Sequence, residues 1–175
     1  VVIMNIQNMT TTEKLTSAYK SNTSLDLLRE LAKDENKLVR GNVPSNPNVT
    51  DDILRDLSKD AQHTVRRKVA YRPNLPDDIL RDLSKDSQWQ IRREVAAKQN
   101  LPDDIMKDLV TDEDGVVRWE VAENPWISIT VLVTLLEFEK NLKKPSLNVI
   151  QALYVNSKLP TFAKRVIETL YGEML

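Results

Sequence analysis

Leu75-Pro76-Asp77-Asp78-Ile79-Leu80-Arg81-Asp82-Leu83 is one of three near-copies of the same phrase. It stands earlier as Val49-Thr50-Asp51-Asp52-Ile53-Leu54-Arg55-Asp56-Leu57 and later as Leu101-Pro102-Asp103-Asp104-Ile105-Met106-Lys107-Asp108-Leu109. Asp51, Asp77 and Asp103 are evenly spaced, 26 residues apart. A fixed period in this range marks a solenoid, whose units bury their apolar faces against their neighbours. Within each copy the apolar residues fall at helical spacing (Ile53, Leu54, Leu57), so the phrase is a short amphipathic helix, helix A. Two carboxylates fill its first turn, where they favour the helix dipole, and Pro76 and Pro102 suit a first helical position. A second stripe follows at Val65, Val69 and Ala70, repeated at Ile91, Val95, Ala96 and at Val117, Val121, Ala122. This is helix B, whose small alanine lets a neighbour approach. The fold expected is all-α, an α-solenoid of about five short two-helix repeats with capping helices at both ends.

Outward from the clean copies the pattern decays. Leu27, Leu28 and Leu31 keep the helix A stripe, but Gly41 and Pro44 stand where the next unit has Arg67 and Ala70. Proline removes a donor and clashes with the preceding turn, so this helix B should end near Asn42. Ala18-Tyr19 precedes Ala70-Tyr71 by two periods, so a helix capped by Thr11 or Thr12 and running to about Lys20 reads as a lone helix B. Residues 1–10 read as a frayed lead-in, whose opening Val1-Val2-Ile3-Met4-Asn5-Ile6 is too short and lacks the basic flank of a signal peptide. After Pro125 the acidic pair gives way to Ile129-Thr130. A helix to about Glu139 is expected there, then a break over 141–145, then helices from Ser146 to about Tyr154 and from Thr161 to about Tyr171. About six residues are inserted. The organisation is a single domain over 1–175, with an N-terminal cap (1–21), four regular repeats (22–124), and a divergent repeat with the C-terminal cap (125–175).

Composition narrows the function. Lys and Arg number 25 against 26 Asp and Glu, a net charge of −1. Bulk charge therefore gives no drive toward nucleic acid or anionic membrane. The chain has no cysteine, which removes disulfides, thiolate metal sites and a thiol nucleophile. No apolar run is long enough to span a bilayer, and a cytoplasmic location is expected. His63 is the only histidine. No matched nucleophile and base, phosphate-cradling loop or metal-ligand spacing stands beside it. No catalytic residue, metal or cofactor is expected, and the carboxylate pairs read as helix starts.

Asp34, Asp60, Asp86 and Asp112 share one position of the period, and Arg40, Arg66, Arg92 and Arg118 share another, six residues later. An aspartate just before helix B can accept from its free amides. An arginine one turn in can reach the aspartate of its own or the adjacent unit. The set reads as a structural ladder of charge-assisted hydrogen bonds, since the aspartate travels with the arginine every time.

Asp-x-x-x-x-Val-Arg-x-x-Val-Ala, at Asp60–Ala70 and Asp112–Ala122, resembles the end of a HEAT-type repeat. With Asn-Leu-Pro-Asp-Asp-Ile-Leu-Arg-Asp-Leu at Asn74–Leu83, the chain resembles the leucine-rich repeat variant family more closely, over roughly Asn22–Pro125. The resemblance implies a right-handed superhelix of paired short helices. The family's namesake carries a cysteine-bound iron–sulfur module, which this chain cannot hold. No common catalytic residue comes with the likeness. HEAT-like folds also include alkylpurine DNA glycosylases, and this chain shows no strong match to them.

With the core and ladder assigned, helix B leaves Arg67, Lys68, Tyr71 and Arg72 facing outward. One unit on these are Arg93, Glu94, Ala97 and Lys98, and beyond them Trp119, Glu120, Glu123 and Asn124. By architectural analogy helix B lines the concave face. Arg67, Lys68, Tyr71, Arg93 and Trp119 are the candidate contacts of a protein or peptide partner. Trp119 has two readings, an exposed anchor or a residue covered by the altered fifth unit. Trp89 reads as half-buried local packing and Trp126 as a seal to the C-terminal cap. The helix A faces (Arg55, Asp56, Lys59; Arg81, Asp82, Lys85) read as solvated. The function expected is a non-enzymatic protein- or peptide-binding scaffold. The alternative is nucleic-acid binding through the basic half. A base-repair enzyme, with Trp119 beside Glu120 or Glu123, is a third reading.

Overall fold

The computed structural model describes residues 6–175, which form twelve α-helices and no strand. They are α1 (Thr11–Tyr19), α2 (Leu25–Leu31), α3 (Lys37–Asn42), α4 (Asp51–Leu57), α5 (His63–Ala70), α6 (Asp77–Leu83), α7 (Trp89–Ala96), α8 (Asp103–Val110), α9 (Gly115–Glu123), α10 (Ile129–Asn141), α11 (Leu147–Val155) and α12 (Thr161–Tyr171). This is an α-solenoid of repeating helix pairs. Residues 1–5 of the expected lead-in lie outside the described residues; Ile6–Asn8 form a single 3-10 turn. The chain divides into two compact units, residues 1–83 and 84–175.

In the first unit, α3 lies beside α5 and α1 beside α3. α1 thus occupies the helix B row. Its start is one residue earlier than the threonines expected. Thr10 accepts from the Glu13 amide at 3.3 Å, and the Glu13 carboxylate accepts from the Thr10 amide at 2.8 Å. Reciprocal capping of this kind satisfies two otherwise orphan donors. α3 ends at Asn42 and passes into a 3-10 turn, Val43–Ser45, that contains Pro44. Proline fits there because the tighter turn does not need the donor it lacks. The two apolar stripes of the repeat, Ile53, Leu54, Leu57 on α4 and Val65, Val69, Ala70 on α5, are all buried. Burying a side chain of Leu or Ile size contributes about 1.5–3 kcal/mol, so each short helix is held by its neighbours rather than by its own propensity.

In the second unit α7 lies beside α9 and α9 beside α11, while α8 lies beside α10 and α12 closes against α11. Ile91, Val95, Ala96, Val117, Val121 and Ala122 are buried. Helix A begins at its first aspartate, so Pro102 is the cap rather than the first helical residue, and its carbonyl accepts from Met106 at 3.1 Å. The turn before it needs a left-handed residue, and Asn100 supplies it at φ 52°; asparagine tolerates that region better than other non-glycine residues. The Tyr154 hydroxyl donates to Glu168 at 2.9 Å, joining α11 to α12.

Candidate functional site

The aspartate of each unit does not cap helix B directly. It closes a tight turn two residues ahead. The side chains of Asp34, Asp60, Asp86 and Asp112 accept from the amides of Asn36, Gln62, Gln88 and Asp114, at 2.8–2.9 Å. The arginine six residues on donates to the backbone carbonyl of its own aspartate: Arg40 to Asp34 at 2.7 Å, Arg66 to Asp60 at 2.9 Å, Arg92 to Asp86 at 2.8 Å, Arg118 to Asp112 at 2.7 Å. For Arg40 and Arg92 the carboxylate partner belongs to the following repeat. Arg40 makes a two-pronged pair with Asp60, at 2.6 and 3.0 Å, and Arg92 with Asp112, at 2.6 and 2.8 Å. One guanidinium therefore clamps two successive inter-helix turns, which a point-like ammonium cannot do. In the first unit the row begins at Lys14, which bonds Asp34 at 2.8 Å. In the second it ends at Glu139, which takes Arg118 at 2.6 Å.

Burial pushes the Asp34 carboxyl up, but Lys14 and the Asn36 amide outweigh it and hold the group below its ordinary value. Burial likewise pushes Asp60 up, and Arg40 with the Gln62 amide brings it below. In both cases hydrogen bonds to the charged form decide the sign.

A second row, which sequence reasoning missed, follows helix B. The Asn46 side-chain amide donates to Ala18 and Lys20 carbonyls at 3.1 and 2.8 Å. One period later Arg72 donates to Pro44 and Asn46 carbonyls at 2.6 and 3.1 Å. Asn124 does the same to Ala96 and Lys98, at 2.7 and 2.9 Å. Asn156 reaches Ala122 at 2.9 Å. These side chains fasten the last carbonyls of the preceding helix B, groups left open by the helix itself. Arg72 and Asn124 are therefore not outward contacts. Asn124 is buried, and burial pushes the Lys98 ammonium down against the opposing effect of Glu94. The signal was the recurrence of long or amide donors at one position of the period, obscured because their identity changes.

The outward stripe of helix B is Thr64, Arg67, Tyr71 on α5, Gln90, Arg93, Ala97 on α7, Val116, Trp119, Glu123 on α9, and Asn148, Gln151, Val155 on α11. In the first unit Arg67 lies over the Tyr71 ring, 5.2 Å from its centre, and Lys68 beside it is exposed. In the second, Arg93 donates to Glu120 at 2.8 Å, so its charge is met locally. Trp119 is half-buried. It walls a groove of about 500 Å³ between α9 and α11, with Val116, Glu123, Asn148, Gln151, Ala152 and Val155. The groove continues past Val116 and Asn148 into a second depression of about 180 Å³, reached by Asp114 and Ser146. The altered fifth unit flanks Trp119 without covering it.

Residues 63–88 match the family model described as leucine rich repeat variant. This stretch resembles a single leucine-rich repeat variant unit. The variant repeat begins at the first residue of α5 and ends at the residue before α7. It thus spans one period, taking helix B of one pair and helix A of the next, and it carries Arg67, Lys68 and Tyr71. It is consistent with a HEAT-like helical repeat. No curated protein and no solved structure matches the chain.

The helix A faces beside the variant repeat hold more order than their sequence suggests. Arg29 bonds Asp52 at 3.3 Å and Arg55 bonds Asp78 at 2.5 Å, and Lys59 and Lys85 lie 3.4 and 3.3 Å from Asp82 and Asp108. These are exposed pairs between successive repeats. Trp89 is the first residue of α7 and half-buried, and Trp126 is 54 % exposed. His63 is the exposed first residue of α5. Among the described residues no group of three or more acidic or histidine side chains stands ready to hold a metal, and no helix is long and apolar enough to cross a membrane.

Proposed function

We propose that this repeat scaffold is a non-enzymatic protein- or peptide-binding module that uses the outward face of helix B. The groove between α9 and α11, walled by Trp119, carries this reading. A half-buried indole beside exposed valines is the kind of anchor that dominates binding energy. The helix A face, by contrast, is occupied by pairs between its own charges. The groove's Glu123 has no histidine, nucleophile or metal-ligand cluster beside it, which favours recognition over chemistry. The fold holds together without disulfides, which suits the reducing cytoplasm.

Affinity capture with the purified chain tests it. Trp119→Ala and Val155→Arg should each lose partners held by the wild type. Retention of the full set of partners by both variants would remove helix B of the second unit as the binding face. A second reading, nucleic-acid binding, is favoured by one observation: Arg67 and Lys68 stand exposed beside Tyr71 without a carboxylate partner among the described residues. It requires retention on a DNA or RNA column that falls steeply with salt and is abolished by Arg67→Glu with Lys68→Glu. Passage through the column at low salt would eliminate it.

A further inference from the structure

The groove between α9 and α11 has a chemistry that selects its occupant. Its two walls are matched helical stripes, Val116, Trp119 and Glu123 on one side and Asn148, Gln151 and Val155 on the other. Each stripe is spaced three and then four residues, so all six side chains face the channel along their helices. Glu123, Asn148 and Gln151 have no hydrogen-bond or ion-pair partner among the described residues. Val155 is 72 % exposed. No lysine or arginine lines the channel or its continuation, whereas Glu123 stands at one end and Asp114 at the other.

We infer that this channel binds an extended peptide segment carrying a basic side chain at each end. The inference rests on the reading of helix B as the binding face. Primary amides such as those of Asn148 and Gln151 each offer a donor and an acceptor, the complement of a peptide backbone unit. A strand laid along the channel would otherwise leave its own backbone groups unpaired there. The indole of Trp119 beside the carboxylate of Glu123 suits a guanidinium or ammonium, through ring attraction and charge together. Asp114 caps α9 through one oxygen, which accepts from the Val116 amide at 2.8 Å, and it lines the far depression. Nine helical residues separate Asp114 from Glu123, a rise of about 13 Å. Extended chain covers that distance in about four residues, and residues four apart point to the same side. The segment is therefore Arg/Lys-x-x-x-Arg/Lys. The valines select small or apolar residues between the two charges. An acidic peptide is disfavoured, because it would bring its carboxylates against Glu123 and Asp114 with no cation to receive them.

An immobilised array of five-residue peptides, capped at both termini and covering every charge combination, tests this with the purified full chain. Wild type should be retained most strongly where positions 1 and 5 are both basic. Glu123→Gln should weaken that retention roughly threefold to tenfold, an effect of the size expected for an exposed charge pair aided by an aromatic ring. Glu123→Gln should also shift the preference toward a neutral residue at one end only. Val155→Arg, on an exposed position that does not test folding, should abolish retention, as should Trp119→Ala. Circular dichroism separates loss of binding from loss of helix. Retention that Val155→Arg abolishes but that shows no basic preference would overturn the proposed occupant while leaving helix B as the binding face. Retention indifferent to Val155→Arg, or none at all, would overturn both.

Discussion

Arg118 donates to Glu139 at 2.6 Å, and both side chains are almost wholly out of water, at 6 % and 0 % exposure. The period puts Phe138, not an acid, where an aspartate belongs, and the Arg118 guanidinium also lies over that ring. Glu139 does the aspartate's work from one residue later. Its second oxygen accepts from the Ser146 amide at 2.8 Å, as Asp112 accepts from Asp114. Six residues, Lys140 to Pro145, separate the acid from the amide it holds, where the regular unit has only Glu113; the first two of them complete α10. The extra methylene of glutamate helps span the altered geometry at the start of α11.

Glu139→Ala is expected to destabilise the second unit by about 3–5 kcal/mol, because it leaves a buried guanidinium uncompensated. Glu139→Asp should recover part of that loss. Urea unfolding followed by circular dichroism measures both. A loss below about 1 kcal/mol for the alanine variant would mean that water or another group compensates Arg118.

Arg40→Lys should cost roughly 1–2 kcal/mol, since an ammonium keeps the charge but cannot bond both Asp60 oxygens and the Asp34 carbonyl at once. Lys14 holds only one oxygen of Asp34, so Lys14→Arg should be neutral or mildly stabilising. The two unfolding midpoints, compared in one buffer, check the pair.

Acid should expose the ladder. Asp34 and Asp60 sit below their ordinary values in the folded chain. The unfolded chain therefore takes up those protons first as pH falls. Their contribution is complete above pH ~4, the unfolded aspartate value, and is lost as pH drops from there through the depressed folded values. Asp60→Asn should lower stability at neutral pH and flatten the decline below pH ~4. A pH series of unfolding midpoints that remains parallel to wild type would contradict this assignment.

Asn124→Ala removes hydrogen bonds to a buried and a part-buried carbonyl and from the Trp126 amide, and should cost about 2–3 kcal/mol, the penalty for leaving such groups unsatisfied. Asn48→Ala, which removes a bond from the exposed Asn48 side chain to the Ser21 carbonyl, should change stability little. Thermal unfolding of the two variants distinguishes a fastening of the stack from a surface contact.

Trp119 should report on its groove. Val155→Arg places a charged arm across the channel between α9 and α11, and should change the emission of the indole without lowering the unfolding free energy by more than about 0.5 kcal/mol, as befits an exposed site. An unchanged spectrum would place the indole elsewhere.

Sequence alone determined the repeating helix pairs, because a period is covalent and the residues that make an amphipathic helix lie within a few positions of one another. Ile53, Leu54 and Leu57 declare a buried face without any knowledge of what buries it. The alternating Asp60 and Arg66 likewise announced a recurrent polar arrangement. What only the tertiary structure decided is where each side chain's partner lies. Arg40 can reach an aspartate in its own repeat or in the next, and the distance between packed helices sends its fork to Asp60. The replacement of Asp by Glu139, the burial of Asn124, and the opening beside Trp119 have the same origin. Each depends on how closely two helices approach across a turn or an insertion, a distance set by packing rather than by local sequence.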